Sequence, residues 1–465
     1  MITIDLSFFS ELATHSPFYI MGALFIYGGW IPVLVIGLWA AKILWLRWRQ
    51  RFYAATVKYV LLAIDIPKEN EEGPKAVEHI FSQLAGISSG LDFRDKWWYG
   101  KFQLGFSLEI ISDWGYVQFL IRTPEKFRDL VEAAFYAQYP DAEILEVEDY
   151  AAKIPLEYPN ETHNLFGTEF ILAKPSAYPL RTYPQFEHSF SRPGTQFKDP
   201  LSALLELMSR IQKDEQLWLQ IVVIPTGSDW KEQGEAIVAK LLGRKPAVKE
   251  TVWSKAGEMP VKFIEGVAYH GFGLEPAPPP KEDAAKIAQL SPGERLVVEA
   301  VQNKLSKIGF LTKFRFVYVA KKEAFNAERA VFIKAALQKY GSLSLNSFKG
   351  YGPVVPQTDY FWQRWFAEAK KTSLAKNYSF RDPCKGAPLN ILNTEELATL
   401  YHFPVVAVKA PLLKKTEAKR AEPPFKLPVH IQQSANSNQP TAVSGELKAE
   451  SRELEANTAI LHFDF

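Results

Sequence analysis

The sequence predicts an α+β protein that one helix near the amino terminus holds to a membrane. Three observations predict this fold class. A charge-free apolar run covers residues 17–41. The hundred or so residues after it follow the strand and helix order β-α-β-β-α-β. The same order returns before residue 350. The predicted fold is therefore a transmembrane helix, two tandem ferredoxin-like βαββαβ modules, the second with an insertion, and a disordered C-terminal tail.

The apolar run is long enough to cross a bilayer. A hydrocarbon core of roughly 30 Å needs about 20 helical residues, and the run provides about 25. No Lys or Arg precedes it, whereas basic residues follow it closely, namely Lys42, Arg47, Arg49 and Arg51. The positive-inside rule then places the amino terminus outside and the bulk of the chain in the cytoplasm. We therefore expect a single-pass protein of the inner (cytoplasmic) membrane.

Two other structures are compatible with an apolar run near an amino terminus. A cleaved signal peptide needs a basic start, a shorter apolar core and a small-residue cleavage site, and the sequence has none of these. A buried helix of a soluble protein is the other alternative, and the Gly and Pro residues inside the run speak against it, namely Gly22, Gly28, Gly29, Pro32 and Gly37. We assign residues 1–16 to an extracytoplasmic terminus and residues 17–55 to the transmembrane helix and its extension.

Residues 56–150 form the first predicted module. Apolar runs and strand alternation predict its strands, and helical spacing predicts its helices. Asp113-Trp114-Gly115 is typical of a hairpin turn, and Thr123 is a candidate helix cap. In chain order the predicted elements are strand 57–66, helix 74–87, strands 102–112 and 116–122, a helix after Thr123, and strand 142–147.

Residues 151–350 form the second predicted module, with an insertion at about 243–290 that is rich in Pro, Gly and charge. Ser291, Pro292 and Glu294 match a capping box with Pro in the first turn. In chain order the predicted elements are strand 169–173, helix 200–211, strand 216–225, helices 229–242 and 291–308, strand 310–320, helix 324–340 and strand 342–346.

Residues 351–412 are predicted as a C-terminal helical segment. An aromatic-rich helix covers residues 360–371, and Asn393 or Thr394 caps a second helix that ends near residue 404. Residues 413–465 are polar and charged with few large apolar side chains, which predicts disorder.

Composition and motifs indicate no enzyme. Lys+Arg 54 against Asp+Glu 52 lacks the basic excess of a protein that grips nucleic acid over its whole surface. The single cysteine, Cys384, excludes an internal disulfide and a Cys-rich metal site. No phosphate-binding loop, dinucleotide fingerprint or His-Glu-x-x-His occurs. We therefore predict no catalytic residue, no cofactor and no metal. Lys313 and Arg315 share a strand, where they contact phosphates or form a solvent face.

Several segments resemble a known group of proteins. They are NLFGTEF at 164–170, AYPLRTY at 177–183, DP at 199–200, QLWLQI at 216–221 and LNTEELATLYHFP at 392–404. They are similar to membrane-anchored proteins of candidate-phyla bacteria, in which this region precedes a motor ATPase of the type IV secretion-like, conjugative class within the HerA–FtsK superfamily. The resemblance covers residues 57–428. It departs where the relatives continue into the ATPase, because this chain continues into a polar tail.

The resemblance implies a non-enzymatic inner-membrane platform of a type IV secretion-like or conjugative DNA-transfer machine. The expected partners are the lipid bilayer, further copies of the chain and a separate P-loop ATPase. The candidate docking helix carries Thr394, Glu395, Glu396, Tyr401 and His402. Ordinary core packing is the alternative for this helix. The alternative function is a nucleic-acid-binding module tethered to the membrane.

Overall fold

The computed structural model describes residues 30–67, 70–88, 90–186, 199–242, 290–358 and 360–405, together with Ser16, Gly22 and Phe25. Nearly all of the predicted extracytoplasmic terminus, all but the last residue of the predicted insertion and the whole predicted tail lie outside these residues. The first part of the predicted membrane run lies outside them as well.

The described residues form an α+β fold around one antiparallel sheet. The helices are α1 (Trp30–Thr56), α2 (Pro74–Leu84), α3 (Phe93–Trp97), α4 (Arg128–Tyr136), α5 (Ser202–Ser209), α6 (Trp230–Leu241), α7 (Pro292–Ser306), α8 (Glu328–Gln338), α9 (Phe361–Ser379) and α10 (Thr394–Leu400). The strands are β1 (Tyr59–Asp65), β2 (Phe106–Asp113), β3 (Tyr116–Pro124), β4 (Glu143–Glu146), β5 (His163–Leu172), β6 (Glu215–Pro225), β7 (Gly309–Lys321), β8 (Phe348–Gly350) and β9 (Asn390–Asn393).

Helix α1 runs without interruption from the apolar run into the basic stretch. It is long and apolar enough to cross a membrane, and none of its side chains is buried by the rest of the chain. Apolar side chains that stay exposed in their own protein are stabilised by another apolar environment. This supports, weakly, a membrane anchor at the amino-terminal end.

The strands join in one continuous sheet of nine strands. Strands β1 to β4, the first half, lie in the order β4-β1-β3-β2, and strands β5 to β8, the second half, continue as β6-β7-β5-β8. The seam between the halves is the pair β2 and β6, in register from Phe106↔Val223 to Asp113↔Gln216. Strand β9 pairs with β7 off this path. The two halves are therefore hydrogen-bonded to each other along the full length of β2.

Alternation along the strands gives the sheet two buried faces. On the first face Leu108 and Leu219 pack against helices α2, α4, α5, α8 and α10. On the second face Ile111 and Trp218 pack against α9 and the segment around Ile154. Helices thus cover both sides, which explains why strands such as β2 and β7 are buried over nearly their whole length.

The C-terminal part of the described chain returns to the first half. Helix α9 crosses the second face, and α10 then lies beside α2 on the first face. Phe403 follows α10 and is buried between the rings of Phe119, Phe135 and Tyr139, with centroids 5.0, 6.1 and 5.3 Å away. Burying a phenylalanine contributes about 1.5–3 kcal/mol. The segment predicted as a separate helical region therefore completes the core of the first half.

Several element boundaries in the structure differ from the predicted ones. Strand β3 continues through Thr123, so α4 starts at Arg128 after a short 3-10 turn and Thr123 does not cap it. Strand β5 begins six residues before the predicted strand, and β8 lies after the predicted 342–346. Helix α9 extends well past residue 371. Pairing with neighbouring strands sets the ends of β3, β5 and β8. The alternation of residues within one strand does not reveal that pairing.

The hairpin prediction was correct, and so were the capping predictions for the helices that begin at Pro292 and Thr394. Trp114 and Gly115 both have positive φ, 54° and 86°, which is the two-residue turn that joins strands of right-handed twist. Ser291 and Glu294 form the capping box of α7, and Asn393 with Glu396 forms that of α10. Local rules therefore worked where the interactions are local.

Gly115→Ala is expected to lower the free energy of unfolding by at least about 1–2 kcal/mol, because a side chain disfavours positive φ. The new Cβ would also lie 2.6 Å from the carbonyl oxygen of Ser209. Denaturant unfolding of the full chain in detergent micelles measures this. The matched control is Gly86→Ala, whose Cβ meets nothing within 4 Å, with an expected change within about 0.5 kcal/mol. Equal effects of the two variants would contradict the turn assignment.

Candidate membrane interface and interaction surfaces

The four basic residues that set the predicted orientation lie on the C-terminal half of α1. Arg47 and Arg51 are exposed. Lys42 lies over the ring of Trp97, 4.8 Å from its centroid, and Nε of Arg49 donates to the carbonyl oxygen of Trp98 over 2.6 Å. The structure therefore places Lys42 and Arg49 against the segment 93–102, near the place where the charge-free run of α1 ends.

A row of polar side chains crosses the centre of the second face. Its members come from four neighbouring strands, in register: Glu109 (β2), Gln220 (β6), Arg315 (β7) and Glu169 (β5). Arg315 donates from Nε to Glu169 over 2.8 Å and from Nη1 to Gln220 over 3.1 Å, and Gln220 donates to Glu109 over 3.2 Å. All four side chains are buried. We call these four residues the polar row.

Arg381 closes the polar row at its β2 end. The residue has φ of 52°, and its guanidinium donates twice to Glu109, over 2.9 and 3.0 Å, and also to Asp149. Burial raises the pKa of Glu109, but the charge of Arg381 and hydrogen bonds from Arg381, Ser107 and Tyr150 outweigh it, so the pKa is lowered. Glu109 is therefore an enclosed carboxylate.

Two tyrosines complete the partners of Glu109. The hydroxyl of Tyr150 donates to Glu109 over 2.7 Å, so the hydroxyl of Tyr378, also 2.7 Å away, donates to the Tyr150 oxygen. Burial and the nearby carboxylate raise the pKa of both tyrosines well above the usual range. Both hydroxyls stay protonated, and the acceptor oxygens of Glu109 are occupied by this chain's own donors. The arrangement therefore encloses the carboxylate of Glu109 within the protein.

Lys313 and Arg315 do not form a phosphate-contacting surface. Both side chains are buried, and Lys313 donates to the carbonyl oxygen of Lys385, in the loop after α9. Burial lowers the pKa of Lys313 to about 8, although the nearby Glu169 raises it. Both candidate assignments for these cations, phosphate contact and a solvent face, were therefore wrong, because α9 and its following loop cover this strand.

The helix proposed for partner docking, α10, lies inside the protein. Glu396 is paired with Lys304 over 2.8 Å, and both side chains are fully buried. Glu396 also accepts from the backbone of Leu180 over 2.7 Å, and Lys304 donates to the carbonyl oxygen of Ile391 over 2.9 Å. This buried pair fixes α10 between β9 and α7.

The other four candidate docking residues also contact this chain. Thr394 donates to Glu78 over 3.3 Å, Glu395 pairs with Lys307, and Tyr401 donates to the carbonyl oxygen of Leu120 over 3.1 Å. His402 lies between the carbonyl oxygen of Ala398, 2.9 Å from Nδ1, and Asp199, 2.8 Å from Nε2.

Both ring nitrogens of His402 face acceptors. Burial raises the pKa of Asp199, but the charge of His402 outweighs it and lowers the pKa. Asp199 is therefore a carboxylate, and it accepts a hydrogen bond from Nε2 of His402. The contacts of the five residues correspond to core packing, the alternative for this helix.

The N-terminal end of α9 carries a surface that the sequence reasoning did not select. Its aromatic side chains stand in solvent, Trp365 with 75% of its surface exposed. They are Tyr360, Phe361, Trp362, Trp365 and Phe366. We call these five residues the aromatic end. Five aromatic residues within seven positions point to several sides of a helix, and one buried stripe cannot accommodate them all. The sequence pattern therefore already indicated that some of these rings are exposed.

Candidate metal ligands are not clustered in the part of the chain that the structure describes. No group of three or more His, Cys, Asp or Glu side chains there is arranged to hold a metal ion. Cys384 is a free, exposed thiol in the loop after α9.

Comparison with known families gives one match. Residues 67–348 match the family described as a domain of unknown function (DUF8128). The chain belongs to this family. No match to the chain is found among curated proteins. The matched residues of this DUF8128 protein include β2 to β7 and the seam between the halves, whereas α1, α9 and α10 lie outside them.

Arg381→Met is expected to lower the free energy of unfolding by about 3–5 kcal/mol, because it leaves a buried carboxylate without its partner. In the wild-type protein the lowered pKa of Glu109 stabilises the fold above about pH 4, and this contribution is lost as the pH falls through the folded-state pKa. In the variant, burial alone raises that pKa, so acidification from neutral pH should relieve part of the loss.

The control is the double variant Glu109→Gln/Arg381→Met, which removes both charges. Denaturant unfolding in micelles at several pH values should show the double variant to be more stable than the single one, with no such acid relief. Single and double variants of equal stability at every pH would contradict the pairing.

Proposed function

We propose that this chain is a non-enzymatic inner-membrane platform of a type IV secretion-like or conjugative DNA-transfer machine, and that it docks a separate motor ATPase. The observation that carries the proposal is α1, a helix long and apolar enough to span a membrane, with no side chain buried by the body that follows it. The resemblance of the sequence to membrane-anchored relatives of motor ATPases points in the same direction.

The body is proposed to consist of two ferredoxin-like modules fused at their edges. The order β4-β1-β3-β2 of the first half is the ferredoxin-like order, and β8-β5-β7-β6 repeats it when the second half is read from the opposite edge. All the pairs are antiparallel. Such a repeat provides a rigid, double-width sheet, which suits a scaffold.

The anchor and the aromatic end lie at opposite ends of the sheet. Helix α1 leads into Tyr59, which pairs with Pro124. Lys371 of α9 donates to Asn164 over 2.8 Å, at the other end of the strands, while Tyr378 lies near the middle, beside Gln220. The residues before Lys371, at about 1.5 Å each, continue away from α1. The aromatic end therefore lies distal to the membrane.

We assign docking of the motor ATPase to the aromatic end in place of α10. Contiguous exposed apolar side chains of this kind mark sites of protein association. A soluble motor in the cytoplasm approaches the platform from the side away from the bilayer, where these side chains stand. Assembly of several copies in a ring, with the amino termini outside, belongs to the same proposal.

The orientation is tested with the single native cysteine. If the bulk of the chain is cytoplasmic, exposed Cys384 reacts with a membrane-impermeant maleimide in spheroplasts only after permeabilisation. The matched control is Ser16→Cys in a Cys384→Ser background, because Ser16 is exposed and precedes the predicted span. It should react without permeabilisation. The reverse pattern would contradict the orientation.

Docking is tested by crosslinking in native membranes and affinity purification through the C-terminal tail. We expect recovery of a P-loop ATPase together with higher-order self-crosslinks. Trp365→Ser/Phe366→Ser should lose the ATPase, whereas Val331→Ser/Phe332→Ser, an exposed pair on α8, should retain it. Recovery of the chain alone as a monomer would contradict the proposed function.

A further inference from the structure

A second exposed aromatic group lies at the membrane end of the body. In the segment 93–101, Phe93 is 80% exposed and Trp98 is 64% exposed, and Tyr99 is also exposed. Arg94, Lys96 and Lys101 are interspersed among these rings. Rings and cations mixed in this way are typical of segments that lie in the headgroup layer of a bilayer. We call residues 93–101 the collar.

The collar is fastened to α1. The indole Nε1 of Trp45 donates to the carbonyl oxygen of Trp97 over 3.1 Å, and Arg49 donates to the next carbonyl. Gly100 has φ of 67° and lies against the backbone at Arg49, where a Cβ would collide. Just after the collar, the ring of Phe102 packs edge-on against Tyr53 at 5.5 Å. The collar is thus held at a fixed height along the helix.

That height corresponds to the bilayer surface. The charge-free run ends at residue 41, and the collar contacts α1 between Lys42 and Arg49. The headgroup layer on one side of a bilayer occupies roughly 5–8 Å beyond the hydrocarbon. At about 1.5 Å per residue, Lys42 and Trp45 lie roughly 1.5 and 6 Å beyond the end of the run. The contacts that these two residues make with the collar therefore fall at the level of the headgroups.

The charge at this place is strongly positive. Residues 42–53 and 92–102 contain seven Lys and Arg side chains and two Asp side chains, although the whole chain has a formal net charge of only +2. One of the two, Asp95, is paired with Lys101 over 2.9 Å. Most of the remaining cations are left to attract anions, and the anionic lipids of a cytoplasmic leaflet attract such clusters.

We propose that the collar lies in the headgroup layer of the leaflet where α1 leaves the membrane and binds anionic lipid headgroups. The inference rests on the membrane anchor of the proposed function and adds a lipid partner to it. The aromatic rings of Phe93 and Trp98 enter the interface, and Arg94 and Lys96 contact the phosphates. The collar then fixes the distance and tilt of the body relative to the bilayer.

The test places an environment-sensitive fluorophore on Phe93→Cys in a Cys384→Ser background of the full chain. The protein is reconstituted in vesicles of phosphatidylcholine alone or of phosphatidylcholine with phosphatidylglycerol. With phosphatidylglycerol we expect a blue shift and loss of quenching by an aqueous quencher. The matched control is the same label on Trp365→Cys, an equally exposed aromatic position at the distal end, which should remain quenched in both vesicles.

A charge variant separates lipid binding from simple burial. Arg94→Gln/Lys96→Gln/Lys101→Gln should abolish the phosphatidylglycerol-dependent shift. Lys75→Gln/Lys213→Gln/Lys322→Gln, an equal charge change on exposed lysines elsewhere, should keep it.

Vesicle flotation is measured on the same samples. A chain that floats but whose Phe93 label stays quenched overturns the collar inference alone, whereas a chain that does not float overturns the anchor. Equal shielding in phosphatidylcholine or in micelles would indicate another occupant and overturn the lipid assignment.

Discussion

The chain of buried hydrogen bonds from Glu169 to Arg381 is the constraint on which the sheet depends. It crosses the seam between β2 and β6, so it links strands that belong to different halves of the protein. A shift of one residue at the seam would turn Gln220 toward the helices of the first face and leave Glu109 and Arg315 without it. Apolar side chains tolerate such a shift far better than a charge whose partners are fixed in direction. The polar row therefore specifies one register for a long antiparallel pair that hydrophobicity alone would leave less well defined.

The sequence predicted the local elements well and the long-range ones poorly, for physical reasons. Capping by Ser291 and the turn at Trp114-Gly115 depend on neighbours a few residues away, so their patterns are complete within short segments. The polar row joins residues from β2 to the loop after α9, and no spacing in the chain reports that Glu109 and Arg381 meet. A charged residue on a strand, such as Arg315, is expected to face solvent. Only the structure shows that α9, which is distant in sequence, covers it. The aromatic end of α9 is a different case, since we predicted an aromatic-rich helix from the sequence but did not predict that its rings are exposed.

Charge is distributed in two contrasting ways along this protein. Within the body, charged side chains such as Lys304 and Glu396 are sealed in pairs, and they serve to position α10. Around the end of α1, cations such as Arg47 and Arg51 stay exposed, beside exposed rings. Charges inside the body thus position its own elements, whereas the exposed cations around the end of α1 remain accessible to solvent. The two exposed aromatic surfaces differ in charge, because the one next to α1 is basic.

Phe403 has a consequence for how the protein is made. Its ring fills the space between Phe119, Phe135 and Tyr139, which lie 264 to 284 residues earlier in the chain. During synthesis α1 leaves the ribosome before the sheet does, so a chain that α1 anchors as proposed would be attached to the membrane while the core of its first half is still open. That core closes only when the segment carrying α10 has emerged. A chain that stops before this point would present an unfilled apolar surface close to the bilayer, where chaperones and membrane proteases act on incomplete proteins.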